Sequence, residues 1–187
     1  MNPAITNLIV VFGLMQVANK FELDKEENTP YLRAAYLGMQ IISVIVWGLI
    51  YSKVVAANDQ TPLVYTEAAN ALDPSNTTTI RTTVKDYDIK KIIEQLRSQA
   101  IAAAILGLMH FKFGYLRPLL LQSILGFKAL YSTQLVQIHL LGKQPVAELV
   151  RPWKAANPFG ETVKPTTEKE IKAKEKREAK KKANHQD

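Results

Sequence analysis

The side chains best suited to chemistry in this sequence are few and scattered. His110, His139 and His185 are the three histidines, and no H-x-x-x-H spacing joins any two of them. The chain has no Cys, which removes a disulfide framework, a thiolate metal site and a cysteine nucleophile. Asp86 and Asp88 could suggest a metal, but acids in a first helical turn complement the helix dipole without one. No phosphate loop, dinucleotide fingerprint or nucleophile elbow occurs among the scattered glycines. The sequence therefore predicts no enzyme, no catalytic residue, no metal and no cofactor.

A different pattern carries more information. Tyr36, Gln40, Ser43, Trp47 and Tyr51 recur at helical spacing, so they share one face, with Ile41, Ile45 and Leu49 opposite. Asn7, Gln16, Gln99, His110 and Lys112 add polar groups to other apolar segments. Polar groups are costly in hydrocarbon, so they must face protein or water. Two readings follow. The stripe is hydrogen-bonding glue between helices, or it lines a hydrophilic groove within a membrane. Such a groove would lower the desolvation barrier for a polar flank dragged across the bilayer. Partition of the client's apolar segment into lipid would then drive insertion without a nucleophile or fuel.

The elements that hold this stripe are apolar runs. A bilayer core of roughly 30 Å takes about 20 helical residues. Nineteen residues without a charge lie between Arg33 and Lys53, and eight are Leu, Ile or Val. These eight contribute about −2 to −5 kcal/mol to insertion. Thr29-Pro30 reads as an N-cap and first-turn proline, and Trp47 and Tyr51 as anchors toward the far interface. Residues 1–19 carry no charged side chain, lack a basic n-region and a small-x-small cleavage site, and read as a retained helix. A third helix over 86–116 is marginal, because one lysine at mid-membrane costs about +2.5 to +3.5 kcal/mol. Lys112 is therefore expected at an interface or facing a polar cavity. Arg117-Pro118 breaks that helix, and 118–132 reads as an interfacial helix.

The fold class expected is an all-α membrane protein of about three transmembrane helices, near 3–19, 30–53 and 86–116. Residues 54–85 are expected to be a polar connection with short β-like pieces, and Ala71 to Thr79 a turn-rich tip. Thr83-Val84-Lys85-Asp86 resembles a capping box that starts a helix running unbroken into the third apolar run. The membrane domain spans 1–155. The charged tail, 156–187, has too few apolar residues for a core and is either helical or disordered. Its basic end, Lys180, Lys181 and Lys182, could touch anionic lipid or ribosomal RNA. Twelve Lys or Arg from Lys143 onward place the tail in the cytosol. Three crossings would then place 54–97 in the lumen, whereas a re-entrant or double-crossing third region would put it on the tail's side. Asn76-Thr77-Thr78 is a glycosylation sequon that reports which holds.

Several short stretches occur together in order: Asn58-Asp59, Thr82 to Asp88, Gly107 to His110, Pro118 with Gln122-Ser123-Ile124, Ile138 to Lys143, and Arg151-Pro152. In combination they resemble the fungal SND-pathway component family (SND3, once labelled inorganic phosphate transport proteins), over nearly the whole chain up to about Ala155. That resemblance implies a multi-pass protein of the endoplasmic-reticulum membrane. It further implies targeting independent of the signal recognition particle, and insertase activity beside the Sec translocon and ribosome on nascent membrane-protein clients. Two other readings remain. One is a small-solute (phosphate) transporter or its accessory, although paired intramembrane carboxylates and internal repeats are missing. The other is a passive scaffold that tethers ribosomes through its tail, which deletion of Pro165 to Asp187 would abolish.

Overall fold

The computed structural model describes residues 3–23, 25–70 and 73–153, with Ala173 and Lys176. At 3, 4, 6, 7, 68–70 and 73–77 it describes the backbone alone. Lys180, Lys181 and Lys182, and nearly all of the tail, lie outside the described residues. Among the described residues the chain forms five α-helices: α1 (Pro3–Lys20), α2 (Thr29–Ala57), α3 (Val84–Phe113), α4 (Arg117–Ser132) and α5 (Gln134–His139). Two strands, β1 (Pro62–Asn70) and β2 (Asp73–Thr83), lie between α2 and α3. Two segments are long and apolar enough to cross a membrane, Glu26–Ala57 and Val84–Phe113; Leu8–Lys20 is a shorter apolar helix.

The all-α expectation is corrected by the strands. Residues 62–83, expected as a polar connection, pair as an antiparallel hairpin with Pro62 opposite Thr83 and Tyr65 opposite Ile80. The run from Thr77 to Thr83 is rich in β-branched residues, which suit a pleated surface better than a helix. The region taken for a turn-rich tip is mostly strand, and the register shifts between Ala68 and Asn70.

Helix boundaries follow local chemistry. Thr83 Oγ1 accepts the Asp86 backbone N–H at 3.2 Å and donates to the Asp86 carboxylate at 3.0 Å, so the expected cap of α3 forms. Thr29 is not a cap. A 3₁₀ turn over Glu26–Asn28 leads straight into α2, and Thr29 itself is helical. The third helix ends at Phe113 rather than 116, because Gly114 takes a left-handed conformation with φ +69°. Its N–H closes on the His110 carbonyl at 2.9 Å. Arg117-Pro118 opens α4 instead of breaking α3.

The described chain divides into two compact units. One comprises 1–53 and 91–141, the other 54–90 with 142 onward. Within the first, α2 buries Leu32, Tyr36, Met39, Ser43, Trp47 and Ile50, a stripe at spacings of three and four residues. Its other faces expose Leu37, Ile41, Ile42, Val44, Ile45 and Leu49. The helix thus turns hydroxyls, amides and rings inward and aliphatic groups outward, opposite to a water-soluble helix. Leu32, Tyr36 and Met39 pack with Leu106 of α3 and with Leu116 and Leu119 beside α4.

The segment expected as an interfacial helix runs alongside α2. Leu119 packs near the start of α2, and Gly126 admits the Met39 thioether where any Cβ would collide with it. Further on, the Lys53 ammonium donates to the His139 carbonyl at 2.9 Å. Helix α3 runs the other way, with His110 against Arg33 and Gln99 against Ser43 and Trp47.

The second unit is tied by buried polar and aromatic groups. Asp88, 1% exposed, accepts two hydrogen bonds from Arg151, Nε at 2.7 Å and Nη2 at 2.6 Å. Arg151 stacks on the Trp153 ring, and the Trp153 N–H donates to Tyr87 Oη at 2.8 Å. Tyr87 packs edge-on to both Tyr65 and Trp153, with centroids 5.3 Å apart in each case. The reading of Asp88 as a surface acid of a first helical turn is thereby corrected: it is a buried partner of a guanidinium.

Candidate functional site

The polar stripe meets α3 through one side chain. Gln99 Oε1 accepts from Ser43 Oγ at 2.9 Å and from Trp47 Nε1 at 3.2 Å. Its amide nitrogen donates to Gln40 Oε1, and Gln40 Nε2 donates to Tyr36 Oη at 2.5 Å. A continuous chain of donors and acceptors therefore runs from Trp47 to Tyr36. Among the described residues, no buried side-chain nitrogen or oxygen lacks a partner. Trp47 is consumed by this chain and is buried, so it does not serve as the interface anchor expected of it; Tyr51 remains exposed.

Two cavities flank the chain, and Tyr36, Gln40 and Gln99 border both. The smaller, about 190 Å³, is a half-open cleft lined by α2, α3 and α4. Ser43, Gln95, Ser98, Gln122 and Thr133 give it a hydroxyl and amide lining, with Ala102, Ala129 and Leu130 between. At about 30 Å³ of liquid per molecule it has room for roughly six waters. The larger, about 720 Å³, has aliphatic walls from Leu37, Ile41, Val44, Ile45 and Leu96. Arg33, His110 and Phe111 lie at one end of it. There Arg33 Nε donates to His110 Nε2 at 2.9 Å. His110 Nδ1 sits 3.2 Å from the Tyr115 carbonyl, which assigns the imidazole proton to Nδ1.

Of the residues singled out from sequence, Tyr36, Gln40, Ser43, Trp47 and Gln99 join in the chain, and His110 borders the larger cavity. Gln16 is an exposed residue of α1, and Lys112 is exposed near the end of α3, neither lining these cavities. Asn7 lies on α1, and its side chain is outside the described ones. The sequence did not mark Arg33, taken only as the charge that bounds an apolar run, nor Gln95, Ser98 and Gln122 as cavity-lining groups. Helical spacing offered a signal for the latter: Gln95, Ser98 and Gln99 share a face of α3. No group of three or more His, Asp or Glu able to hold a metal occurs among the described residues.

Sequence comparison adds an independent observation. A family model described as Phosphate transport (Pho88) matches residues 1–185. The chain belongs to the Pho88 family. Two relatives share that likeness under another name. A Saccharomyces cerevisiae protein named SRP-independent targeting protein 3 is 34% identical over 160 residues, covering 86% of this chain and 85% of that protein. Its named homolog in Schizosaccharomyces pombe is 29% identical, covering 83% and 80%. A further S. pombe protein, uncharacterized by name, is 36% identical, covering 82% and 76%. No solved structure matches the chain. Of the short stretches noted in the sequence, Gly107 and His110 border the larger cavity and Gln122 the smaller.

Proposed function

We propose that this protein is a membrane-protein targeting factor and insertase of the endoplasmic-reticulum membrane, acting on the route independent of the signal recognition particle. The relatives' names support the targeting role. The observation that carries the insertase reading is the smaller cavity, where hydroxyls and amides of α2, α3 and α4 surround space for water inside an otherwise apolar bundle. A client's polar flank crosses more easily beside such groups, because they replace part of its hydration as it leaves water. The client's apolar segment then partitions into lipid past the exposed aliphatic faces of α2 and α3. The Sec translocon, the ribosome and nascent membrane-protein chains are the partners in this reading, and the basic tail faces the cytosol.

The test uses the full chain in liposomes with a purified SRP-independent client. Gln95→Leu with Gln122→Leu keeps volume while drying the smaller cavity; both side chains are exposed, so folding is little affected. Two interhelical polar groups are worth together about 1 kcal/mol. On that scale client insertion falls about fivefold with protein abundance unchanged. Insertion at the wild-type rate would defeat the role of this cavity. Phosphate uptake by the same liposomes with no client insertion would favour the transporter reading.

A further inference from the structure

The larger cavity differs in chemistry from the smaller one. Its walls are aliphatic over most of their length, none of its lining residues is acidic, and its one permanent cation is Arg33. The Arg33 to Ile45 side of α2 covers about 18 Å at 1.5 Å per residue. That is close to half of a bilayer core of roughly 30 Å. We propose that this cavity holds one acyl chain of an anionic phospholipid, with the net negative charge of its headgroup on Arg33. The proposal rests on the reading that α2 and α3 span the membrane.

Arg33 is built for this contact. Its Nε is held by the buried His110, and its guanidinium lies over the Phe111 ring, 5.5 Å from the centroid. His110 is fixed in turn through Nδ1 to the Tyr115 carbonyl. The plane of the guanidinium is thus set while no hydrogen bond among the described residues engages its two terminal nitrogens. A planar fork so held matches a headgroup carboxylate, such as that of serine, through two parallel bonds. Arg33 also sits in the first turns of α2, at the depth of a headgroup if α2 spans.

Size decides between an acyl chain and a protein segment. A transmembrane helix about 10 Å wide and about 30 Å long encloses roughly 2,000 Å³. The cavity offers about 720 Å³. It is also separated from the smaller cavity by the bonded amides of Gln40 and Gln99. Lipid therefore occupies one side of the amide pair while the client's polar flank uses the other.

The experiment is native mass spectrometry of the full chain in detergent micelles, titrated with palmitoyl-oleoyl phosphatidylserine or the phosphatidylcholine of the same chains. Wild type is expected to retain phosphatidylserine at least about tenfold more tightly, the scale of a charge-assisted hydrogen bond. Arg33→Gln lowers phosphatidylserine to the phosphatidylcholine level, and Arg33→Lys, which keeps the charge but loses the fork, retains only part of the preference. Ile41→Trp, which fills the cavity from an exposed position, weakens both lipids. A series of lysophosphatidylserines binds wild type about fourfold tighter per added methylene until the cavity is filled. This series decides the matter even if Arg33→Gln fails to fold. Equal retention of the two lipids by wild type, or a flat chain-length series, overturns the proposal. So does displacement of lysophosphatidylserine by millimolar inorganic phosphate alone, which would mark a free-anion site. Lipid selectivity is read without any client, so lost insertion with intact selectivity counts against the insertase reading alone.

Discussion

At the scale of single residues, the strongest local commitment is the pair of Asp88 and Arg151, which fills both oxygens of a buried carboxylate. Removing one partner of such a pair leaves an uncompensated buried charge and costs about 3–5 kcal/mol. Arg151→Ala is therefore expected to open the unit built from 54–90 and 142–153. Hydrogen exchange at the β1 amides, which lie in the same unit, should rise by orders of magnitude. Asp59 is a gentler case. Its carboxyl is held below the ordinary carboxylate range first by hydrogen bonds from the Thr61 side chain and backbone, and least by the charge of Arg151. A depressed folded pKa stabilises above the unfolded value and loses that contribution as pH falls through the folded value. Carbon-detected titration of Asp59 should thus show a midpoint below 3.8. Thr61→Val should move that midpoint upward.

At the scale of elements, two short signals decide where α3 begins and ends. Thr83→Ala removes a cap bond and is expected to cost about 1 kcal/mol. Exchange at Lys85 to Asp88 should accelerate about fivefold, with little change near Gln99. Gly114→Ala places a Cβ in a left-handed turn and costs about 1–2 kcal/mol, read as lower thermal stability. It also disturbs the His110–Tyr115 contact, so it should weaken the Arg33 anchor as well. Helix α4 is an element whose role composition hid. Gln122 and Lys128 suggested a helix lying at a surface, yet Leu119 is buried and Ser123 returns its hydroxyl to the Leu119 carbonyl at 2.7 Å. That local bond lets a polar residue sit at the packed face beside α2.

At the scale of the whole molecule, the same buried ion pair bears on topology. Asp88 lies directly after the hairpin, and Arg151 directly before the tail. Both must sit on one side of any membrane. On the proposed reading that α3 spans a membrane, the chain is expected to return through α4 and α5, and the contact of Lys53 with His139 fits that course. On the proposed cytosolic placement of the basic tail, the hairpin is expected on the same side and the Asn76 sequon is expected to carry no glycan. Single cysteines at positions 76 and 184 should both be labelled from the cytosolic face of sealed microsomes. A glycan on Asn76 would overturn this arrangement.

The apolar runs, the inward polar stripe, the α3 cap and the family resemblance were all legible in the residues. Each depends on spacing within one helix or on short motifs, which the chain order fixes before any folding. The hairpin was half visible: its β-branched run was noted, but pairing needs a partner strand across the turn. Which side chains meet was not legible. Asp88 and Arg151 are 63 residues apart, Arg33 and His110 are 77 apart, and Gln122 joins the polar lining only because α4 turns back along α2. A side chain's chemistry comes from its type, but its burial, its partner and the cavity beside it come from the packing of elements. Sequence alone thus determined that polar groups must be sheltered in apolar helices. Only the tertiary structure divided that shelter into a side lined by hydroxyls and amides and a side lined by aliphatic groups, because the Gln40–Gln99 amide pair bridges two helices at the border of both.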